Sequence, residues 1–184
     1  MSYMEIEDTA LSGVKRLCFK KFNDDRGSFI KYFSSEDFKK FGLIDNVKQV
    51  NFSFTKKKGT VRGLHFQYPP FSEVKIVVCL SGEVFDVALD LRKHSSTFLK
   101  YHSEILSSKN STALLIPQGV AHGFQTLSDN SHLLYIHDQE YRPKQEGGIS
   151  PTDSKINIDW PEKISLISER DNSFSKLDHT FEGM

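Results

Sequence analysis

Two short stretches combine residue types that could carry out proton chemistry. "RGLHFQ" places His65 in an apolar, glycine-punctuated run, and "EVKIVVCL" places Lys75 at the start of a second apolar run. A neutral imidazole can take up a proton near neutral pH, and an ammonium group can stabilise an oxyanion. Taken alone, each residue is more often structural: a hydrogen-bonded core histidine and a sheet-edge charge that deters aggregation.

Several further polar residues fall inside predicted strands. If they faced inward, each would need a partner, because burying an unpaired polar group costs about 1–3 kcal/mol. Their number favours a water-filled cavity between sheets, and the alternative is that they face solvent from the outer sheet surfaces. These residues are Gln49, Asn51, His65, Lys75, Asp86, Asp90, His122 and Tyr135.

The elements that must position these side chains are short strands separated by turn residues. "KQVNFSF" and "EVFDVALDLR" alternate with the period of two that a strand requires, and "SHLLYIHDQEY" puts Leu133, Tyr135 and His137 on one face. "SSEDFKKFG" is the best helix candidate, with Ser35 as its cap and Gly42 as its stop. The pattern predicts an all-β chain, an antiparallel sandwich or barrel with a few short peripheral helices.

Composition narrows the classes of function. The 184 residues, with 15 Phe and 6 Tyr, predict one domain (1–184) whose more polar tail, about 160–184, wraps the outside. The formal net charge of +0 gives no field that would draw the chain to nucleic acid or an anionic membrane, and no apolar run reaches the length of a membrane span. Cys18 and Cys79 lack metal-binding spacing, and the first residues lack the apolar core of a signal peptide, so we expect a cytoplasmic protein.

Seven segments together carry a resemblance to a known family. They occur in order between about Phe22 and Asp171: "NDDRGSFIKYF", "VKQVNFS", "GTVRGLHFQ", "VKIVVCLSGEVFDVALDLR", "IPQGVAHGFQTLSD", "LLYIHDQEY" and "DWP…LISERD". This arrangement resembles the dTDP-4-dehydrorhamnose 3,5-epimerase family. The resemblance implies a cupin-type jelly-roll sandwich that works as a homodimer, without a metal or organic cofactor. Its substrate would be a nucleoside-diphosphate 4-keto sugar, inverted at C3, C5 or both in surface-polysaccharide biosynthesis.

The resemblance also implies catalytic roles for four residues. His65 would remove the proton next to the C4 ketone, and Asp171 would fix its tautomer and support the imidazolium. Lys75 would stabilise the enolate oxygen, and Tyr135 would return a proton to the opposite face. Inversion needs a base and an acid on opposite faces of the same carbon, which explains why such residue types are required.

A second set of residues would bind the nucleotide sugar by the same resemblance. Arginine guanidinium groups suit a diphosphate, and an aromatic ring can pack near a nucleobase. In a homodimer, Arg26 and Phe29 would complete the neighbouring subunit's site. The implied binding residues are Arg26, Phe29, Gln49, Asn51, Arg62, His122, Tyr141 and Arg170.

Two alternative functions are compatible with the same sequence. "PQGVAH" also fits the second metal motif of metal-dependent cupins, although their usual H-x-H pair is replaced here by "HFQ". The other alternative is a catalytically inactive cupin that binds sugar nucleotides, against which the intact set of four catalytic residues argues.

Departures from the family pattern bear on the substrate. Lys31 stands where the family commonly has an acidic residue at the nucleotide end, and "GGISPTDSK" replaces its usual Trp-containing form. The nucleotide (dTDP, GDP or CDP) and the sugar (hexose or heptose) therefore stay open.

Overall fold

The period-two alternation of the sequence corresponds to stacked antiparallel strands in the computed structural model, which describes residues 3–178 and 180–184. One six-stranded sheet has the spatial order β1 (Met4–Asp8), β2 (Lys15–Phe19), β10 (Thr112–Ile116), β7 (Lys75–Ser81), β12 (Ser131–His137) and β5 (Gln49–Thr55). We call it sheet one. The predicted strands over "KQVNFSF" and "SHLLYIHDQEY" are confirmed as β5 and β12.

Sheet two contains the strand of the "RGLHFQ" motif. Its spatial order is β13 (Glu146–Gly148), β6 (Thr60–Gln67), β11 (Val120–Thr126), β8 (Glu83–Asp90) and β9 (Tyr101–Ser107). β14 (Leu166–Ile167) pairs in parallel with β6, and a separate hairpin consists of β3 (Lys21–Asp24) and β4 (Gly27–Ile30). The all-β, antiparallel sandwich class predicted from the sequence is confirmed.

Helical structure is short and peripheral, as predicted. It comprises α1 (Ser35–Lys40), a 3₁₀ turn (Pro143–Gln145) and α2 (Glu169–Ser173). The predicted cap of α1 is wrong by one residue, because Ser34 is the N-cap and its hydroxyl accepts from the Asp37 N–H. A serine one position earlier reaches the orphan donors of the first turn, and Ser35 is already helical.

A core between the sheets holds them together. Val77, Leu114 and Leu133 of sheet one pack against Val84 and Phe124 of sheet two. All five side chains are buried, and removal of their apolar surface from water is the main stabilising term.

The outer face of sheet two is covered by the end of the chain. Leu89 of β8 and Leu64 of β6 belong to a buried cluster with Ile156 and Leu177, and the Trp160 ring lies against Phe85. Both faces of β8 are therefore buried, one against sheet one and the other under the C-terminal segment.

Strand β5 exposes its apolar face and turns its polar face inward, the reverse of an ordinary amphipathic strand. Its apolar residues Val50, Phe52 and Phe54 are exposed at the free edge of sheet one, whereas its polar residues face the space between the sheets. The polar interior predicted from the sequence is thus present at this end of the sandwich. In the described part of the chain, no helix is both long and apolar enough to cross a membrane.

Candidate active site

A cavity of about 270 Å³ opens between the two sheets at the end where β5, β7 and β12 face β6 and β11. Its polar wall collects residues that are far apart in the sequence. Eight of the twelve predicted site residues line this one cavity, although they come from five strands and a loop: Gln49, Asn51, Arg62, His65, Lys75, His122, Tyr135 and Tyr141.

His65 and Asp171 form a hydrogen-bonded pair at the cavity wall. His65 Nε2 lies 2.7 Å from Asp171 Oδ1, although the two residues are 106 positions apart in the chain. Because a carboxylate can only accept, Nε2 carries the proton in this contact and Nδ1 is the basic nitrogen. The His65 side chain keeps 29% of its surface exposed, whereas Asp171 is buried.

Asp171 is held in place by its own helix and by β6. Ser168 caps α2 and accepts from the Asp171 N–H at 3.0 Å, while Asp171 Oδ2 accepts from the Gly63 N–H at 3.0 Å. Burial raises the pKa of Asp171, but the hydrogen bonds from His65 and Gly63 outweigh it and leave the pKa below its ordinary value. The carboxylate is therefore ionised and fixed beside the imidazole.

Gly63 explains why the motif needs glycine two residues before the histidine. Its φ is 126°, and a Cβ at this position would lie 2.5 Å from Gly123 Cα on β11. The strands β6 and β11 approach this closely where their register shifts between His122 and Phe124. Any side chain at Gly63 would push the two strands apart and displace both His65 and the donor to Asp171.

Tyr135 lies on β12, in the sheet opposite His65. Its hydroxyl is 3.2 Å from Ser53 Oγ, and its ring meets the His122 ring edge to face at 6.1 Å between centroids. Burial raises the pKa of Tyr135 well above its ordinary value, more than the Ser53 hydrogen bond lowers it. The phenol is thus protonated at neutral pH and can act as a proton donor.

Lys75 is buried at the first position of β7. Its ammonium lies 2.7 Å from Glu73 Oε1, and Glu73 Oε2 accepts from His137 Nδ1 at 3.0 Å. Burial acts to raise the pKa of Glu73, but the charge of Lys75 and the bond from His137 lower it to about 2. The cavity wall thus contains an ammonium group with a fixed carboxylate beside it.

His122 forms a second histidine–carboxylate pair. It is the register partner of His65 across β6 and β11, and its Nε2 donates to Asp86 Oδ2 at 2.9 Å. Burial lowers the pKa of His122, and the nearby Asp86 charge offsets only part of that effect. A neutral imidazole at this position can offer the cavity a hydrogen bond but little positive charge.

The polar face of β5 and the start of β6 supply the rest of the wall. Gln49 Nε2 donates to the Gln139 carbonyl at 2.8 Å, and its Oε1 accepts from Asn51 Nδ2 at 3.2 Å. Arg62 donates to the Phe54 carbonyl at 3.2 Å and is exposed at the rim. These contacts hold the amides of Gln49 and Asn51 and the guanidinium of Arg62 at the opening of the cavity.

Tyr141 and Arg170 meet at the mouth of the cavity through a residue that sequence reasoning missed. The Tyr141 hydroxyl donates to Glu146 Oε2 at 2.7 Å, and Arg170 Nη2 lies 2.7 Å from Glu146 Oε1. Arg170 does not line the main cavity but an adjoining depression behind His65 and Asp171. Glu146 therefore connects the loop that carries Tyr141 with α2.

Arg26 and Phe29 are not brought to the cavity of their own chain. They lie on the β3–β4 hairpin, where Phe29 is 64% exposed and Arg26 bonds only its neighbour Asp24 among the described contacts. The hairpin residues surround a shallow depression of their own, lined by Phe22, Asp24, Arg26 and Phe29 among others.

A metal site does not fit the described residues. Across 3–178 and 180–184, no group of three or more His, Cys, Asp and Glu side chains is arranged to hold an ion. His122, the histidine of the "PQGVAH" motif, and its register partner His65 each direct Nε2 at a carboxylate. The metal-dependent alternative therefore lacks a ligand set here.

Four amide, imidazole or carboxylate side chains of the cavity lining were not predicted as site residues: Gln67, Glu73, His137 and Glu146. A signal existed for Gln67 and His137, which lie two positions from His65 and Tyr135 on the same strands, whereas Glu73 precedes the first residue of β7. A period of two puts such neighbours on the same face of a strand. Glu146 had no comparable signal.

These features define a cupin-type β-sandwich with a polar cavity between its sheets, lined by His65, Lys75 and Tyr135 among others. The sequence profile of dTDP-4-dehydrorhamnose 3,5-epimerase matches residues 8–179. The chain belongs to the dTDP-4-dehydrorhamnose 3,5-epimerase family.

Individual relatives agree with this assignment. The chain is 42% identical over 159 residues to the dTDP-4-dehydrorhamnose 3,5-epimerase of Shigella flexneri, covering 86% of this chain and 87% of that one. The Bacillus anthracis enzyme, solved with TDP and PPi bound, superposes with a TM-score of 0.91 at 34% identity, covering 95% and 99% of the two chains. The Legionella pneumophila enzyme in complex with dTDP-4-keto-L-rhamnose gives 0.89 at 36% identity, covering 94% and 92%.

Proposed function

We propose that this protein is an isomerase that inverts C3, C5 or both of a nucleoside-diphosphate 4-keto sugar. The observation that carries the proposal is the convergence of the His65–Asp171 pair, Tyr135 and Lys75 on one polar cavity between the sheets. Relatives acting on dTDP-linked 4-keto sugars support the substrate class.

The proposed reaction has two proton transfers and one charged intermediate. His65 Nδ1 takes the proton from the carbon next to the C4 ketone, and the electron pair of the C–H bond moves to the C4 oxygen. Lys75 stabilises that enolate oxygen, while ionised Asp171 stabilises the imidazolium. Tyr135, on the opposite sheet, then donates its proton to the other face of the carbon. No step needs a metal or an organic cofactor, since these side chains supply both transfers.

The test is solvent deuterium incorporation. The protein is incubated in D₂O with dTDP-, GDP- and CDP-linked 4-keto sugars, hexose and heptose, and the product is examined by NMR. We expect label at C3, C5 or both, with inverted configuration, in at least one member of the panel. Binding of the nucleotide sugars without any exchange would instead support an inactive binding protein. Lys31 replaces the family's common acidic residue, and its ammonium lies over the Tyr3 ring at 4.7 Å. The panel also tests whether this replacement goes with a nucleotide other than dTDP.

We further propose that the protein is a cytoplasmic homodimer in which each single-domain chain, residues 1–184, lends its hairpin to the neighbour. Support comes from the exposed apolar residues Val50, Phe52 and Phe54 on the free edge strand β5, because monomers rarely leave such an edge uncovered. Phe29 and Arg26 are exposed on the hairpin and have no place in their own cavity.

Subunit mixing tests this arrangement. Arg26→Ala and His65→Ala are each expected to be nearly inactive as pure dimers. If Arg26 acts across the interface, the mixed dimer contains one intact site, so random exchange restores roughly a quarter of the wild-type activity in a two-fold dimer. No recovery on mixing, with subunit exchange verified by mass spectrometry, would place Arg26 in its own chain's site. Val50→Glu should also shift the sedimentation of the protein toward monomer.

A further inference from the structure

The Glu73 side chain bridges two cavity residues that lie on neighbouring strands. One carboxylate oxygen lies 2.7 Å from Lys75 Nζ, and the other accepts from His137 Nδ1 at 3.0 Å and from Gln67 Nε2 at 3.4 Å. The side chains of Glu73 and Lys75 keep only 10% and 7% of their surface exposed. Both belong to the lining of the candidate active site.

The carboxylate is itself fixed by a second set of contacts. Gln67 Nε2 also donates to the carbonyls of Phe71 at 3.1 Å and Glu140 at 3.3 Å, and its Oε1 accepts from the Arg142 N–H at 2.7 Å. Backbone groups therefore hold the Gln67 amide, Gln67 holds the Glu73 carboxylate, and Glu73 holds the Lys75 ammonium. Such a sequence of contacts defines the position of the ammonium group more tightly than a lysine side chain alone could.

Folding stability does not explain this buried pair. Removing two charges from water costs about as much as their attraction returns, so an apolar pair of similar size would serve the fold equally well. Function gives a better reason. A lysine has three N–H donors, and one contact with Glu73 leaves the others available to the cavity.

We propose that Glu73 is a positioning residue that holds the Lys75 ammonium where it meets the developing enolate oxygen, an inference that rests on the proposed epimerase function. Without Glu73, Lys75 can adopt other rotamers in the cavity and spends less time aimed at the substrate. The low pKa of Glu73, about 2, agrees with a permanently ionised support.

A double-mutant cycle tests the proposal with the full-length protein. Glu73→Gln keeps the shape of the side chain but removes its charge, and Lys75→Met keeps most of the length of the lysine but removes the ammonium. The turnover number and KM for deuterium exchange are measured for wild type, both single variants and the double variant, using the fastest 4-keto sugar nucleotide of the panel. Glu104→Gln, which removes an ion-paired carboxylate outside the cavity, is the matched control.

Lys75→Met should lower turnover about 10²–10³-fold, the usual cost of losing one oxyanion donor. Glu73→Gln should lower turnover by about 10- to 100-fold with little change in KM, because it disturbs the same interaction in the transition state. In the Lys75→Met background, the Glu73 change should cost less than about twofold, since a residue acting through Lys75 has nothing left to position. Glu104→Gln should match wild type.

Equal losses from Glu73→Gln in both backgrounds, or a loss confined to KM, would overturn the inference. Glu73→Asp, one methylene shorter, is carried through the same cycle so that poor folding of one variant leaves the comparison intact; circular dichroism verifies each protein. Absence of exchange by wild type with every sugar nucleotide would overturn the proposed function, and this inference with it. If wild type exchanges deuterium but the effects of the Glu73 and Lys75 variants are additive, the inference alone is overturned.

Discussion

His65 and His122 are register partners on adjacent strands, and each donates to a carboxylate, yet the two pairs are built differently. His65 keeps 29% of its side chain exposed and bonds Asp171 from the C-terminal segment. His122 keeps 6% exposed and bonds Asp86 on the neighbouring strand β8 of the same sheet. We call them the open pair and the closed pair.

The difference shows how one residue combination can serve two purposes. The open pair has an ionised carboxylate, a basic Nδ1 and access to the cavity, which are the requirements of a base that must gain and lose a proton. In the closed pair, burial lowers the pKa of His122 and resists formation of its imidazolium. We therefore expect the open pair to carry out proton transfer and the closed pair to maintain the shape of the wall.

The largest effect should come from breaking the open pair at its base. His65→Ala is expected to lower deuterium exchange by at least about 10³-fold, because general-base catalysis disappears. Fold and nucleotide binding should be kept, since His65 lies at the cavity surface. Exchange is measured by NMR in D₂O and nucleotide binding by calorimetry, with the exposed His94→Ala as the control. Near-normal exchange in His65→Ala would remove it from the role of base.

Tyr135→Phe should separate the two proton transfers. In the proposed reaction the phenol is the acid opposite the open pair, so its loss should lower inversion by about 10²–10⁴-fold while some abstraction by His65 remains. Label should then appear in recovered, uninverted substrate, returned to the face from which it was removed. The ratio of label in substrate to label in epimer is compared with wild type. If the ratio does not rise, Tyr141 or water becomes the acid.

Asp171→Asn sharpens the comparison by altering the open pair at its carboxylate. An amide can still orient the ring but cannot support its cation, so turnover should fall by about 10²-fold or more, without exceeding the loss from His65→Ala. The double variant His65→Ala/Asp171→Asn should be no slower than His65→Ala, because the carboxylate acts through the imidazole. An unchanged rate in Asp171→Asn would mean that the carboxylate has no part in catalysis.

The same carboxylate predicts a pH effect on stability. The folded-state pKa of Asp171 lies below its ordinary value, so its contribution is present above that ordinary value and is lost as pH falls through the folded value. Wild type should therefore lose more stability than Asp171→Asn between neutral and acidic pH. Thermal unfolding of both proteins across this range measures the difference, and parallel curves would contradict it.

The smallest effect on catalysis should come from breaking the closed pair. His122→Ala removes one neutral hydrogen-bonding group from the cavity wall, so the expected loss is about 1 kcal/mol or about fivefold in rate. It should nevertheless cost about 1–3 kcal/mol of folding stability, since the buried Asp86 loses its partner. Chemical denaturation and deuterium exchange are measured together for His122→Ala and His65→Ala. A larger catalytic loss in His122→Ala than in His65→Ala would reverse the assignment of the two pairs.

Much of the fold could be predicted because strand alternation is local. The β5, β8 and β12 strands follow from period-two patterns, and the family resemblance correctly indicated the cupin-type sandwich. The alternation could not tell which face of β5 would be inside, and the apolar face is the exposed one. Burial depends on which strands surround β5, and its position at a sheet edge is a property of the whole topology.

The sequence by itself determined the candidate residues of the site, but it left their partners to the tertiary structure. "RGLH" contains both His65 and the glycine that lets β6 approach β11, so this part of the geometry is encoded within four residues. The contact between His65 and Asp171 spans 106 residues, and the bridge from Glu73 to His137 spans 64. Such contacts arise only when separate strands and the C-terminal helix pack together, because a hydrogen bond depends on distances in space that local sequence patterns do not contain.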